Sequence, residues 1–377
     1  MDNIGICSFI KRGIFMTNYS VFLPSYSIGV DAYKRIPYVT RRYGNKVVVI
    51  GGKTAISKAK SDILEGINES NIKVLDFIWY GGNSSYENVE ALLNNTKVKE
   101  ADIIFAVGGG RAIDTCKVVS DKLDKPMFSF PTIASNCAAC TAIAVMYNAD
   151  DTFRNYYYPS EPAIHTFINT RIIAEAPDNF LWAGIGDALS KESEVLLATR
   201  GKELSHTPLL GVQLSRACDE PLLNFSAKAL EDCRHNTTSY ELEQIALDII
   251  ISTGLVSNLT SDSEKYYYNS SLAHCVYYGS TVVPGCAGHL HGEIVSFGVL
   301  CLLTYDKQFE KRDRIYEFNK SIGLPTCLDD IGIKKEDVEK MVHKMNGVTE
   351  WYCAPYEVTE ENFIKAILDT DEYSKNK

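Results

Sequence analysis

The most restrictive feature of this chain is a strand–turn–helix rhythm that runs through residues 46–130. Lys46, Val47, Val48, Val49 and Ile50 form a short β-branched run that ends in Gly51 and Gly52. Such a run reads as a buried strand feeding a turn. A helical stretch follows over 54–67, then a second strand over 72–78 closed by Gly81 and Gly82, then a helical stretch over 87–93. A third strand, 103–107, is closed by Gly108, Gly109 and Gly110. A helix over about 112–122 and a fourth strand over 126–130 complete the series. Strands alternating with helices predict a parallel sheet covered on both faces, a Rossmann-like α/β domain. Ligands of such sheets bind beyond the carboxyl ends of the strands, where these glycine-rich turns fall.

Beyond about residue 177 strand-like runs become rare and helical periodicity takes over. Thr238 and Glu241 have the spacing of a capping box, and behind them Leu242, Ile245, Ala246, Ile249 and Ile250 share one helical face. Thr359 is placed to cap a helix striped by Phe363, Ile364, Ile367 and Leu368, and 334–345 reads as a surface helix. A chain of 377 residues exceeds the size of a single core, so two domains are expected. The expected division is a poorly ordered extension over 1–18, an α/β domain over 19–177 and an all-α domain over 178–377, with a cleft between the last two as the natural site. Lys11 and Arg12 interrupt the apolar N-terminus, which therefore does not read as a signal peptide, and Met16 is an alternative start.

The totals exclude several classes of partner. A net charge of −10 opposes non-specific binding to nucleic acid and to anionic membranes. No run approaches the roughly 18 consecutive apolar residues of a membrane span. Eleven scattered cysteines, an odd number in a chain long enough not to need disulfides, read as reduced thiols in a cytoplasmic protein.

Three stretches carry chemistry. Gly108, Gly109 and Gly110 join a strand to a helix, where three glycines allow close backbone approach and a helix N-terminus favours an anion such as a pyrophosphate. Asp114 and Lys117 follow on one helical face, where they can pair. Next comes the loop after the fourth strand, with Thr132, Ser135, Cys137, Cys140 and Thr141, whose small hydroxyls suit a cofactor's amide or phosphate. A plain capped loop is the competing reading there, and Cys137 with Cys140 reads as two small thiols rather than a redox pair. The third stretch combines Gly184-Ile185-Gly186-Asp187, read as a helix start, with His274, His289 and His291. A buried histidine is either hydrogen-bonded packing or a metal ligand. Asp187, His274 and His291 together make a carboxylate and two imidazoles, the three-ligand pattern of a catalytic zinc that keeps a position open for substrate. Lys191, four residues after Asp187, is expected to look toward the same place.

Taken in order, Gly108-Gly109-Gly110 with Asp114 and Lys117, Pro131-Thr132-Ile133-Ala134-Ser135, Gly184-Ile185-Gly186-Asp187, Ala273-His274 and Leu290-His291-Gly292-Glu293 resemble the glycerol dehydrogenase-like branch of the iron-containing alcohol dehydrogenase superfamily. The resemblance extends from residue 24 to about 303. It implies a dehydroquinate synthase-like fold, with a dinucleotide-binding α/β domain, a helical domain and a divalent metal between them held by Asp187, His274 and His291. It also places Thr141 near a nicotinamide whose pocket is lined by Ile143 and Val145, and it implies a homo-oligomer acting on a small-molecule substrate. Three positions depart from the pattern. Lys191 stands where iron-type members place a fourth, histidine ligand, which favours zinc. Cys137 stands where glycerol dehydrogenases have an Asp that contacts substrate hydroxyls, and a thiol is a poor acceptor for them. Gly52, followed by Lys53, stands where NAD-preferring members carry an Asp that repels a 2′-phosphate, so NADP(H) is expected to be accepted beside NAD(H).

Lys191 with Cys137 looks closer to hydroxycarboxylate dehydrogenases, in which an ammonium beside the metal can hold a substrate carboxylate. The expected chemistry is reversible hydride transfer between the nicotinamide and a small 2-oxo or 2-hydroxy acid. His289 is either a proton relay or a partner that orients the site. Glycerol oxidation, a carbocycle-forming lyase of the dehydroquinate synthase type and a non-catalytic dinucleotide binder are the alternatives.

Overall fold

The computed structural model describes residues 20–150 and 152–377. The expectations placed on residues 1–18 and on Met16 lie outside the described residues.

Ten strands form among the described residues: β1 Ser25–Ile28, β2 Lys46–Gly51, β3 Lys73–Trp79, β4 Ile103–Gly108, β5 Met127–Pro131, β6 Ala144–Tyr147, β7 Phe153–Tyr157, β8 His165–Ile168 and the short antiparallel pair β9 Ser261–Asp262 and β10 Tyr266–Tyr267. Six of them make one parallel sheet in the order β1-β8-β5-β4-β2-β3, and β6 and β7 form a separate antiparallel hairpin. The four strands expected from apolar runs are β2, β3, β4 and β5. Flanking β1 and β8 carry no comparable run; Ser25, Ser27 and His165 sit in them, and pairing to a neighbour rather than local composition makes them strands.

Both faces of the sheet are covered, because Val47 to Ile50 of β2 and Ile103 to Val107 of β4, whose side chains alternate between the two faces, are all fully buried. On one face Val47, Val49, Ile103, Phe105, Phe128, Phe130 and Phe167 pack with Ala59, Ile63 and Ile67 of the helix Lys53–Ile67. The rings of Phe105, Phe130 and Phe167 run across three strands, with centroids 4.7 and 4.9 Å apart. Each such ring contributes about 2–3 kcal/mol through burial. On the other face the helix Gly110–Leu123 reaches the sheet through Cys116, whose thiol lies 3.9 Å from the Ile50 carbonyl oxygen.

Strand order fixes where a ligand can bind. From β2 the chain crosses outward to β3, returns to the other side of β2 for β4, and proceeds in the opposite direction to β5. The reversal leaves a crevice at the carboxyl ends of β2 and β4, which is where doubly wound sheets take their ligands.

The chain divides into two compact units. The sheet belongs to a unit made of 21–181 and 228–258; the other, among the described residues, comprises 182–227 and 259–377. Side chains of 228–258 explain its place with the sheet. Arg234 pairs with Asp178 at 2.9 Å, and Asn258 bonds both the Ala142 amide, at 2.9 Å, and the Cys140 carbonyl, at 2.8 Å. The helix here is capped by Ser239, whose hydroxyl accepts from the Leu242 amide at 3.1 Å, not by Thr238 as the capping-box spacing suggested. Ser239 adopts the extended backbone an N-cap needs, and its side chain reaches three residues on. Leu242, Ile245, Ala246, Ile249 and Ile250 are all buried as expected. By length and composition Tyr240–Thr260 is long and apolar enough to cross a membrane, yet two thirds of its apolar window is buried inside the protein, as in a core helix.

Thr359 caps the helix Glu360–Lys375 through the Asn362 amide, and Phe363 and Ile367 are fully buried there. The stretch 334–345 forms a short 3-10 turn and the helix Val338–Met345, with Val338, Met341, Val342 and Met345 inside. Cysteines among the described residues are all free.

Candidate active site

In the helical unit the site is assembled by helices that touch backbone to backbone. Asp187 is the penultimate residue of the helix Asp178–Ala188, and the next helix, Ser190–Thr199, begins three residues later. Asp187 therefore ends a helix, contrary to the expectation that its segment opens one. In the last turn of this helix a Cβ on Gly186 would meet the Gly292 carbonyl oxygen at 2.4 Å, and one on Gly292 would meet the Ala183 oxygen at 1.9 Å. The helix is thus paired along its last turns with the start of the helix His291–Tyr305. A Cβ on Gly298 would lie 2.3 Å from the Ala273 oxygen, so the helix Leu272–Ser280 is drawn onto the same partner. Each of the three close approaches falls on a residue next to Asp187, His291 or His274. Only glycine lets backbones come this near.

These approaches bring the three expected ligands together. Asp187 Oδ1 lies 3.5 Å from His274 Nε2 and 3.2 Å from His291 Nε2, and one ligand atom from each residue falls within 4.8 Å of the others. A tetrahedral ion with bonds of about 2.0–2.2 Å sets its ligands about 3.3–3.6 Å apart, so the spacing fits. Asp187 Oδ1 is buried and accepts no hydrogen bond, although two ring nitrogens flank it. A buried anionic oxygen without a donor is costly, and a cation at the convergence point removes that cost. Burial opposes the Asp187 charge, but the two imidazoles outweigh it and hold its pKa well below the usual carboxylate range.

Glu194 completes the arrangement and was not singled out from the sequence. It is fully buried on the helix Ser190–Thr199, with Oε2 2.7 Å from His274 Nδ1, while Oε1 accepts from the Ser271 and His274 amides at 2.8 and 2.9 Å. Burial opposes its charge, but His274 and the two amides outweigh it and lower its pKa. An ionised carboxylate accepts only, so Nδ1 carries a proton and Nε2, facing Asp187, is left as the nitrogen that can ligate. Burial likewise opposes protonation of His274, but Glu194 and Asp187 raise its pKa to about 10. A metal at Nε2 takes the place of that proton, so binding releases it. The only signal in the sequence was spacing: Glu194 is three residues after Lys191, on the same helical face.

His291 opens its helix. Glu293 fixes the approach by accepting from the Leu290 amide at 2.9 Å and meeting His289 Nδ1 at 2.8 Å. His289, two residues before His291, is thus tied to Glu293. The Tyr277 ring stands edge-on to the His291 imidazole, with centroids 4.1 Å apart.

Lys191 is not a solvated helix lysine, since it is only 5% exposed. Its Nζ donates to Asn269 Oδ1 at 2.7 Å and lies 3.4 Å from the Asn269 carbonyl oxygen. No carboxylate among the described residues pairs with it.

In the sheet unit the expected cofactor residues gather at the ends of β2, β4 and β5. Gly52 caps the helix that begins at Lys53, and its amide donates to the Val107 carbonyl at 3.3 Å. Lys53 Nζ sits 4.5 Å over the Trp79 ring. Gly108 has φ +149°, and Gly109, the N-cap residue of the helix Gly110–Leu123, gives the first amides no side-chain cap. Those amides and the helix dipole suit a pyrophosphate. Thr132 is buried, with its amide on the Gly108 carbonyl at 3.2 Å, and Ser135 is half-buried in the following loop.

Asp114 and Lys117 do pair, at 2.9 Å, and both are buried. Lys117 also donates to Thr141 Oγ1 at 3.0 Å and the Ile143 carbonyl at 2.6 Å, and Asp114 accepts from the Val145 amide at 3.0 Å. The pair therefore fastens residues 141–145 to the helix behind the glycine turn. Cys137 is half-buried and Cys140 buried, with Gly254 packed against both.

Comparison with known proteins agrees with this layout. The family described as iron-containing alcohol dehydrogenase matches residues 24–164. A glycerol dehydrogenase of Thermotoga maritima is 33% identical over 306 residues, which cover 78% of this chain and 81% of that one. Hydroxycarboxylate dehydrogenase A of Escherichia coli K12 is 28% identical over 337 residues, covering 87% and 90%. The crystal structure of glycerol dehydrogenase from Schizosaccharomyces pombe superimposes with a TM-score of 0.83 over 95% of this chain and 92% of that one, at 23% identity, which bears on the fold alone.

Proposed function

Because the chain belongs to the iron-containing alcohol dehydrogenase superfamily, as a metal-dependent NAD(P)-linked oxidoreductase of its glycerol dehydrogenase-like branch, we propose that it interconverts small 2-oxo acids and 2-hydroxy acids. One observation carries the choice of substrate: among the described residues the buried ammonium of Lys191, four residues after Asp187, hydrogen-bonds to neutral oxygens of Asn269 and to no carboxylate. Buried charges in proteins are paired, and an unpaired one costs several kcal/mol. A substrate carboxylate is the missing partner. Cys137 supports the same reading, because a thiol cannot hold a polyol hydroxyl as a carboxylate does.

Asp187, His274 and His291 would hold the metal, with zinc suited to the three-ligand set and the tetrahedral spacing. When bound, a divalent ion supplies Lewis acidity at the substrate's carbonyl or hydroxyl oxygen, and the nicotinamide supplies or takes the hydride. The protein does the rest. Glu194 keeps His274 in the tautomer that ligates. Lys191 orients the acid by its carboxylate, and the amides of the glycine turn hold the cofactor's pyrophosphate. A Cβ added at Gly52 would meet nothing nearer than Ala55 Cβ at 3.7 Å, and with Lys53 beside it a ribose 2′-phosphate finds a cation where an Asp at position 52 would repel it, so NADPH is used. Free thiols throughout the described residues fit a cytoplasmic enzyme.

Similarity to the Thermotoga maritima glycerol dehydrogenase favours a second reading, oxidation of glycerol to dihydroxyacetone. A panel of 2-oxobutyrate, glyoxylate and dihydroxyacetone, on wild type and Lys191→Ala, separates the two. The 2-oxo acid reading expects higher kcat/KM on the acids and a selective loss of them in Lys191→Ala. Equal losses, or a wild-type preference for dihydroxyacetone, contradict it.

A further inference from the structure

Resting on the reading that Lys191 receives the substrate carboxylate, we propose that Asn269 is a specificity-determining residue: it fixes the Lys191 ammonium in place without neutralising it. Asn269 stands two residues before Ser271, the N-cap residue of the helix that carries His274. This segment is fastened to the helix Ser190–Thr199 at two points. Lys191 donates to Asn269 Oδ1 at 2.7 Å, and Glu194 accepts from the Ser271 amide at 2.8 Å. Lys191 and Glu194 are three residues apart and so share one helical face. The same face thus orients a metal ligand through Glu194 and is itself held through Lys191.

The chemistry of the amide decides what Lys191 can do. An ammonium has three donors and no acceptor, so the amide presents Oδ1 to it and turns Nδ2 away. The two neutral oxygens of Asn269 take up to two of the three protons and cancel no charge. The remaining donor and the full positive charge stay available to an incoming anion. An aspartate of the same shape at position 269 forms an ion pair instead. An arriving 2-oxo acid then meets a neutralised lysine and a second carboxylate, and like charges brought together in a dry site disfavour binding. Position 269 therefore sets whether the site selects for a carboxylate or is indifferent to it.

The test compares Asn269→Asp with Asn269→Ala through one ratio, kcat/KM for 2-oxobutyrate over kcat/KM for dihydroxyacetone, with the same cofactor. Both rates come from the same active fraction, so partial misfolding cancels. Removal of the bond in Asn269→Ala leaves the ammonium charged, and the ratio stays within about fivefold of wild type. Added negative charge in Asn269→Asp lowers it at least about tenfold further. A merely structural role makes the two variants fall alike, and a separation under tenfold overturns the proposal. For a variant too slow to assay, the Kd of oxamate, an unreactive anionic analogue, is measured by calorimetry on cofactor-loaded protein, with the same tenfold separation required. Lys191→Ala keeps the two claims apart. If it collapses the ratio while Asn269→Asp does not, only the role of Asn269 falls; if it leaves the ratio unchanged, the reading of Lys191 falls first.

Discussion

Glu194 Oε2 lies 2.7 Å from His274 Nδ1, so a fully buried carboxylate dictates which nitrogen of that histidine faces Asp187. Glu194→Gln keeps an oxygen for the Ser271 and His274 amides but offers no carboxylate to Nδ1. Its amide nitrogen can donate to Nδ1 and so favour the wrong tautomer. We expect zinc affinity to fall by roughly 10–100-fold. Competition with a chelator of known affinity measures it; an affinity within twofold of wild type contradicts the role.

Gly292 is where two helices meet without side chains between them. Gly292→Ala places a Cβ against the Ala183 carbonyl oxygen at 1.9 Å, and neither backbone can yield without moving Asp187 or His291. The expected cost is roughly 2–4 kcal/mol, with loss of metal. Gly347→Ala, whose Cβ meets nothing nearer than 3.5 Å, serves as the control and stays within about 0.5 kcal/mol of wild type. Denaturant titration of the two variants decides the point.

Cofactor choice is expected to turn on residue 52. There is room for a side chain there, with the nearest atom at 3.7 Å, so Gly52→Asp tests charge rather than fit. The ratio of kcat/KM for NADPH to that for NADH should fall at least about tenfold. An unchanged ratio removes Gly52 and Lys53 from the 2′-phosphate site.

Acid sensitivity is predicted for the sheet unit. His165 is buried between β1 and β5, with Ser25 Oγ 2.6 Å from Nδ1 and Ser27 Oγ 2.9 Å from Nε2. Burial, aided by the charge of Arg35, pushes its pKa down from 6.5 to about 4. An unfolded chain accepts the proton that the folded chain resists. The stability this group contributes is therefore whole above about pH 6.5 and is lost as pH falls toward 4, by up to about 3 kcal/mol. His165→Gln should flatten that part of the stability–pH curve, as followed by denaturation at pH 7, 5.5 and 4.5.

The sequence and the structure agree most closely where one residue type has one meaning. Val47 to Ile50 and Ile103 to Val107 are β-branched or apolar without interruption, and only a buried strand satisfies that. Asp187, His274 and His291 were legible because few other arrangements place a carboxylate and two histidines among glycines. β1 and β8 were not legible, since Ser25 to Ile28 and His165 to Ile168 become strands only through long-range pairing. Glu194 and Asn269 were hidden for a similar reason: their roles depend on contacts 80 and 78 residues away. Gly186 and Gly292 were visible as motif letters, but their reason, the contact of two backbones, exists only in three dimensions.

Asp187, His274 and His291 are proposed to grip one divalent ion on which turnover depends. Elemental analysis of wild type and His274→Ala, each reconstituted with zinc and assayed for NADPH oxidation with 2-oxobutyrate, tests it most directly. About one zinc per wild-type chain is expected, and in His274→Ala the loss of most of the metal together with the activity. A variant that keeps a full equivalent of zinc, or that turns over at the wild-type rate without it, rules out His274 as a ligand of an essential ion.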